Sequence, residues 1–209
     1  MLVNKTALIT GSTSGIGLGI AKALARQGAN IVLNGFGDSE MPQKEIAALG
    51  AKVVHHDADM SKPAEIEAMM AFAAETFGQV DILVNNAGMQ IRNPLHEFAN
   101  DDWHRLMRTN LDSVFFVSKV VVGGMIARGQ GKIINICSVQ SELGRPGIAP
   151  YTASKGAIKM LTKGMAIDWG PLGINVNGLG PGYFKTELTA KLVDDAAFTA
   201  WLVGRTPSR

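Results

Sequence analysis

Short runs rich in β-branched and other apolar residues alternate along the chain with longer stretches whose apolar positions recur at helical spacing. Residues 6–10, 30–34, 51–55, 81–85, 132–138 and 174–178 predict strands. Residues 16–27, 62–77, 112–128 and 151–169 predict helices, with a weaker helix around 43–49. Parallel strands need crossovers, and right-handed crossovers carry helices to the faces of a sheet. The alternation therefore predicts an α/β fold: a doubly wound, Rossmann-type parallel sheet with helices on both faces. No linker, low-complexity segment or repeat interrupts it, so residues 1–209 read as one domain. The helices at 112–128 and 151–169 are apolar around more of their circumference than a surface helix needs, which points to a homo-oligomer.

Composition narrows the partners. The chain has 209 residues, 46% of them hydrophobic, with 20 Lys+Arg against 18 Asp+Glu. That is ample for a core without disulfides, and the one cysteine, Cys137, suits a reducing compartment. The amino terminus has no basic leader before the first strand, and the most apolar segment, 114–126, falls short of a bilayer span, so a cytoplasmic location is expected. The sequence pI is about 8.7, yet no basic stripe marks a nucleic-acid surface. A small-molecule substrate is the expected partner.

The first predicted strand runs directly into Gly11-Ser12-Thr13-Ser14-Gly15-Ile16-Gly17, after which helical spacing begins. A glycine-rich turn between strand and helix allows close backbone approach to a pyrophosphate, which the free N–H groups of the helix start would face. Asp38, about 20 positions beyond Gly17, is placed to meet a ribose 2′-hydroxyl, and Phe36 to line the adenine side. Neither 12–14 nor 34–38 supplies a cation for a 2′-phosphate, so NAD is favoured and NADP is the alternative.

Tyr151 and Lys155 are spaced i, i+4 near the start of a helix, and Ser138 ends the preceding strand. A phenol is a poor base at neutral pH. An ammonium about 4 Å away, at an effective dielectric of about 20, would favour the phenolate by up to about 4 kcal/mol. Tyr151 would then exchange a proton with a secondary alcohol whose oxygen Ser138 holds, while hydride passes to a nicotinamide. Asn85-Asn86-Ala87-Gly88 follows the fourth strand and falls at the same end of the sheet. His55, His56, His96 and His104 show no ligand spacing with each other or with Cys137, so no metal site is expected. Trp103, Trp169 and Trp201 read as packing residues, Trp201 lying where a lid could fold over the site.

These motifs together resemble the short-chain dehydrogenases/reductases over nearly the whole chain. The resemblance implies that Thr10, Gly11, Gly15 and Gly17 bind the dinucleotide and that Asn86, Ala87 and Gly88 brace it. It also implies a catalytic set of Asn110, Ser138, Tyr151 and Lys155. Asn110 would hold a proton-relay water and Lys155 would bind the nicotinamide ribose. Asp59 would lie near the adenine, and Pro181, Gly182 and Thr186 at the nicotinamide end.

Within that family, residues 1–84 resemble 3-hydroxybutyrate dehydrogenases, whereas the chain from about Asn85 onward resembles gluconate 5-dehydrogenases. Gln140 and Tyr183 stand where the hydroxybutyrate enzymes carry histidine and tryptophan, which favours a sugar acid, D-gluconate/5-keto-D-gluconate, with 3-hydroxybutyrate as the alternative. Such a substrate needs a cation and several polar groups, for which Gln90, Arg92, Gln140, Tyr183, Glu142 and Arg145 are candidates beside Ser138 and Tyr151. Gluconate 5-dehydrogenases carry two adjacent arginines where this chain has Ile91 and Arg92. Members of the short-chain family usually continue past the position of Arg209 with another helix and a final strand. A chain ending there is expected to leave residues 174–178 as a sheet edge, and a truncated, non-catalytic nucleotide-binding module is a further alternative.

Overall fold

The strands β1 (Thr6–Ile9), β2 (Asn30–Asn34), β3 (Val53–His56), β4 (Ile82–Asn85), β5 (Gly131–Ile136) and β6 (Ile174–Leu179) form one sheet in the computed structural model, which describes residues 1–184, 186, 189 and 194–206. Every pairing is parallel and the order is β3-β2-β1-β4-β5-β6. The central strands β1 and β4 are buried along their whole length, as parallel strands covered on both faces must be.

Alternate residues of each strand feed two cores. Ala7, Ile9, Ile31, Leu33 and Val84 pack against Ala21 and Ala25 of α1 (Gly15–Arg26) and Ile46 of α2 (Glu40–Ala47). On the opposite face Leu8, Val32, Leu83, Ile133 and Val176 meet α3 (Pro63–Phe77), α5 (Ser113–Arg128) and α6 (Ala149–Trp169). Among the described residues β6 is an outer strand: Ile174 and Val176 are buried, while the intervening Asn175 and Asn177 are exposed.

Two helices are additional to those the periodicity predicts, α4 (Asn100–Met107) and α7 (Ala196–Arg205). A π-helical segment, Arg108–Asp112, joins α4 to α5, so residues 100–128 form one continuous helical stretch. By length and composition that stretch could cross a membrane, unlike the shorter 114–126 segment. Its Val114, Val117, Val121 and Met125 are instead part of the core against the sheet.

A buried polar chain locks α5 and α6 onto the sheet. Asn85 Nδ2 donates to Ser118 Oγ at 2.9 Å and to Asn135 Oδ1 at 2.8 Å, and Asn135 Nδ2 donates to Thr162 Oγ1 at 2.9 Å. Because the amide N–H groups of both asparagines find acceptors, the second of Asn135 being Met165 Sδ at 3.7 Å, the network orients both helices rather than weakening the core. Its consequence is positional: the start of α6 is held beside the carboxyl end of β5.

Candidate active site

A cleft of about 770 Å³ lies beyond the carboxyl ends of β1, β4 and β5. In this strand order the chain departs in opposite directions from β1 and β4, which leaves a crevice there.

The glycine turn forms its first wall. Gly11 and Gly15 have φ of +60° and +55°. A Cβ on Gly17 would stand 2.3 Å from Gly11 O and 2.5 Å from Asn86 Nδ2, so only glycine fits. Asn86 Nδ2 donates to Thr10 O at 2.9 Å and Gly11 O at 2.7 Å, while Thr10 Oγ1 accepts from the N–H groups of Asn86 and Ala87, each at 3.0 Å. These bonds draw the turn's carbonyls into the protein. The start of α1 is left without a side-chain cap or an acidic first turn, and Gly11, Ser14, Gly15, Ile16, Gly17, Asn86, Ala87 and Gly88 line the cleft beside it. The donor set fits a pyrophosphate.

Phe36 and Asp59 line the same end. Burial alone would raise the Asp59 carboxyl, but the N–H and hydroxyl of Ser61 and the Lys62 charge hold it below the usual carboxylate range, so it is ionised. Asp38, expected at the ribose, is not among the lining residues. Its Oδ1 accepts the N–H of Glu40 at 2.8 Å, a local turn at the head of α2.

Ser138, Tyr151 and Lys155 gather at the β5 end. Ser138 directly follows β5 and Cys137, in extended conformation, with Oγ accepting the Gln140 N–H at 3.1 Å. Pro150 sits in the first turn of α6, where its missing N–H costs nothing, and Tyr151 follows it. The expected acidification of the phenol by Lys155 is corrected here. Lys155 Nζ lies 5.8 Å from the Tyr151 ring centroid and donates to Ile136 O at 2.7 Å. Burial raises the phenol above its ordinary value, the Ser138 hydroxyl draws it down in part, and Tyr183 raises it further. Lys155 is 5% exposed, and burial lowers its ammonium to about 8. The i, i+4 spacing correctly places both groups on one side of α6. It says nothing of the carbonyl that captures the amine.

Asn110, fully buried in the π-helical segment, is not a lining residue. Its Oδ1 accepts the Met89 N–H at 2.8 Å, and its Nδ2 donates to Met89 O at 3.0 Å and Ser154 Oγ at 3.1 Å. Both amide hydrogens are thus engaged within the protein. The side chain ties the loop after β4 to α6; Ser154, its partner, carried no signal in the sequence.

At the far end Gln90, Gln140, Arg145, Tyr183, Pro181, Gly182 and Thr186 line the cleft. Arg92 does not. It is exposed, with Nη2 3.5 Å from Gln90 Oε1, and its guanidinium is lowered by partial burial and by the like charge of Arg145. Glu142 is exposed and ion-paired with Lys159 outside the cleft. Above this end, α7 brings Phe198 to 5.4 Å from Tyr183 and 5.5 Å from Trp201, ring centroid to centroid.

A parallel sheet in this order, a glycine-cradled helix start and a serine, tyrosine and lysine gathered at one crevice define a dinucleotide-dependent oxidoreductase. The chain belongs to the short chain dehydrogenase family, whose family model matches residues 5–197. It is 54% identical over 206 residues to a gluconate 5-dehydrogenase of Gluconobacter oxydans (strain 621H), covering 97% of this chain and 80% of that protein. To a 5-keto-D-gluconate 5-reductase of Escherichia coli (strain K12) it is 46% identical over 209 residues, covering 99% and 82%. The crystal structure of a gluconate 5-dehydrogenase from Burkholderia cenocepacia J2315, in complex with NADP and tartrate, superposes with a TM-score of 0.93 at 54% identity, covering 99% of this chain and 82% of that one.

Proposed function

We propose that this protein interconverts D-gluconate and 5-keto-D-gluconate using a nicotinamide dinucleotide, with NAD preferred over NADP. The observation that carries the reading is a single cleft holding the glycine cradle at one end, Ser138, Tyr151 and Lys155 between, and Gln90, Gln140 and Arg145 at the other. The similarity to gluconate 5-dehydrogenases supports the substrate class.

When bound, the nicotinamide supplies or accepts the hydride. The chain's own residues manage the oxygen. Ser138 Oγ positions the substrate oxygen; the Tyr151 phenol donates its proton to that oxygen in ketone reduction, leaving the phenolate, and in alcohol oxidation the phenolate takes the proton back. The raised phenol is protonated at neutral pH, which suits the reductive direction. Lys155 presents its amine at the floor of the cleft to bind the ribose, and Asn110 fixes the wall opposite by bridging Met89 to Ser154. Preference for NAD rests on the turn after β2, where 34–38 carries no cation for a 2′-phosphate.

On this reading the protein acts in the cytoplasm and assembles as a homo-oligomer through α5 and α6. Phe115, Val120, Ile126, Met160 and Ile167 are exposed there. Light scattering of the purified chain reads that assembly, and a monomer at all concentrations would remove it. Following reduced-nicotinamide absorbance with gluconate and 5-ketogluconate against both dinucleotides tests the chemistry. Turnover of 3-hydroxybutyrate but neither sugar acid would replace the substrate, and dinucleotide binding without turnover of any hydroxy acid or polyol would reduce the chain to a binding module.

A further inference from the structure

The polar end of the cleft contains two buried atoms with no partner among the described residues, Arg145 Nε and Gln140 Oε1. They differ in sign: one can only donate, the other can only accept. Gln140 is 7% exposed, so its side chain is held in place with an acceptor to spare. Arg145 has no carboxylate partner among the described residues. Its guanidinium carbon instead lies 5.3 Å from the Phe198 ring centroid, under α7. Stacking on an aromatic face orients a guanidinium plane without neutralising its charge. The positive field is reinforced by Arg92, close enough for the like charge of Arg145 to disfavour its protonation. Among the described residues neither arginine has a carboxylate partner; only the Tyr183 phenol favours the Arg92 charge.

On the reading of the substrate as a polyhydroxy acid, we propose that Arg145 is the carboxylate anchor and that Gln140 Oε1 accepts a hydrogen bond from a substrate hydroxyl. Arg92 acts only through the field, from outside the cleft. The guanidinium fork gives a carboxylate two parallel hydrogen bonds, which a neutral carboxamide cannot reproduce. Because Phe198 covers the anchor, α7 sets the orientation of the fork.

The test compares D-gluconate with its neutral isostere D-gluconamide, on the full chain with NAD, for the parent protein and the variants R145Q, R145K and R92Q. The parent is expected to favour gluconate by about 30-fold in kcat/KM. R145Q brings the two compounds within threefold of each other through KM for gluconate, while the KM for NAD stays unchanged. R145K recovers part of the preference, and R92Q keeps most of it. An R145Q protein that still prefers gluconate by the parental ratio, or an R92Q protein that alone loses the preference, overturns the anchor. Calorimetric titration of both compounds into the NAD-loaded proteins reads the same discrimination without turnover. If the parent binds the carboxylate better than the amide but oxidises neither, the assigned reaction fails while the anchor stands. If the parent does not discriminate at all, the anchor fails.

Discussion

Replacing Lys155 by methionine keeps the length and most of the volume of the side chain and removes its charge. In the folded protein, burial lowers the ammonium from 10.5 to about 8, with a partial counter-effect from Cys137. A fall of that size means that holding the amine charged in the fold costs about 3 kcal/mol at any pH below 8. Between pH 8 and 10.5 the unfolded chain binds a proton that the folded chain has released, so this group's contribution to stability improves as pH rises through that window. Methionine escapes the cost but leaves Ile136 O without its donor at 2.7 Å, a loss of about 1 kcal/mol. The net expectation for K155M without dinucleotide is a gain of about 2 kcal/mol at pH 7, or a Tm higher by about 4–8 °C for a chain of this size. The advantage should fade as pH approaches 10. Thermal unfolding of both proteins across that range, by calorimetry or circular dichroism, measures it, and turnover should be lost throughout. A variant that melts below the parent at pH 7, or a difference indifferent to pH, would refute the claim that the site stores this cost in Lys155.

Y151F is expected to lower turnover by at least about 10³-fold while the Kd for NADH, read by fluorescence titration, moves less than about threefold, because the proton carrier is lost and the cradle is not. N110A leaves the Met89 N–H and Met89 O without their partners, while Ser154 Oγ keeps its bond to Tyr151 O at 2.8 Å, and should cost about 2 kcal/mol, seen as a Tm lower by about 4–8 °C. In G17A the added methyl meets Gly11 O at 2.3 Å, a backbone atom that cannot yield locally. Dinucleotide affinity should fall at least about 100-fold in the same titration, and unchanged affinity would mean that the turn does not form the cradle.

The sheet was legible because each strand carries its own signal. β2 covers the predicted 30–34, and the other strands start or end within two residues of expectation, since a parallel strand buried on both faces reads as a short apolar run. The missed helices gave a weaker signal because they are short. They have eight and ten residues, and little of either is buried: α4 buries only Leu106, and α7 none despite its apolar sequence. The catalytic group was legible as a conjunction of spacings, but not its electrostatics. Whether an amine faces a phenol or a carbonyl depends on burial and on a neighbouring strand, information that residues 151–155 do not contain. Arg145 and Arg92 look alike along the chain. Only the tertiary loop arrangement puts the first in the cleft and the second outside it.

The absence of any buried residue in α7 gives the molecule an asymmetric architecture. Its dinucleotide half is rooted in the sheet through glycines, Asn86 and the amide chain, and a change there disturbs everything downstream. Among the described residues the roof over the alcohol is fastened by the Tyr183–Phe198 ring contact and the Arg145 guanidinium stacked on Phe198, so it can be remodelled while the foundation stays intact. Divergence toward new hydroxy acids is therefore inexpensive in this scaffold, and it should begin in the roof.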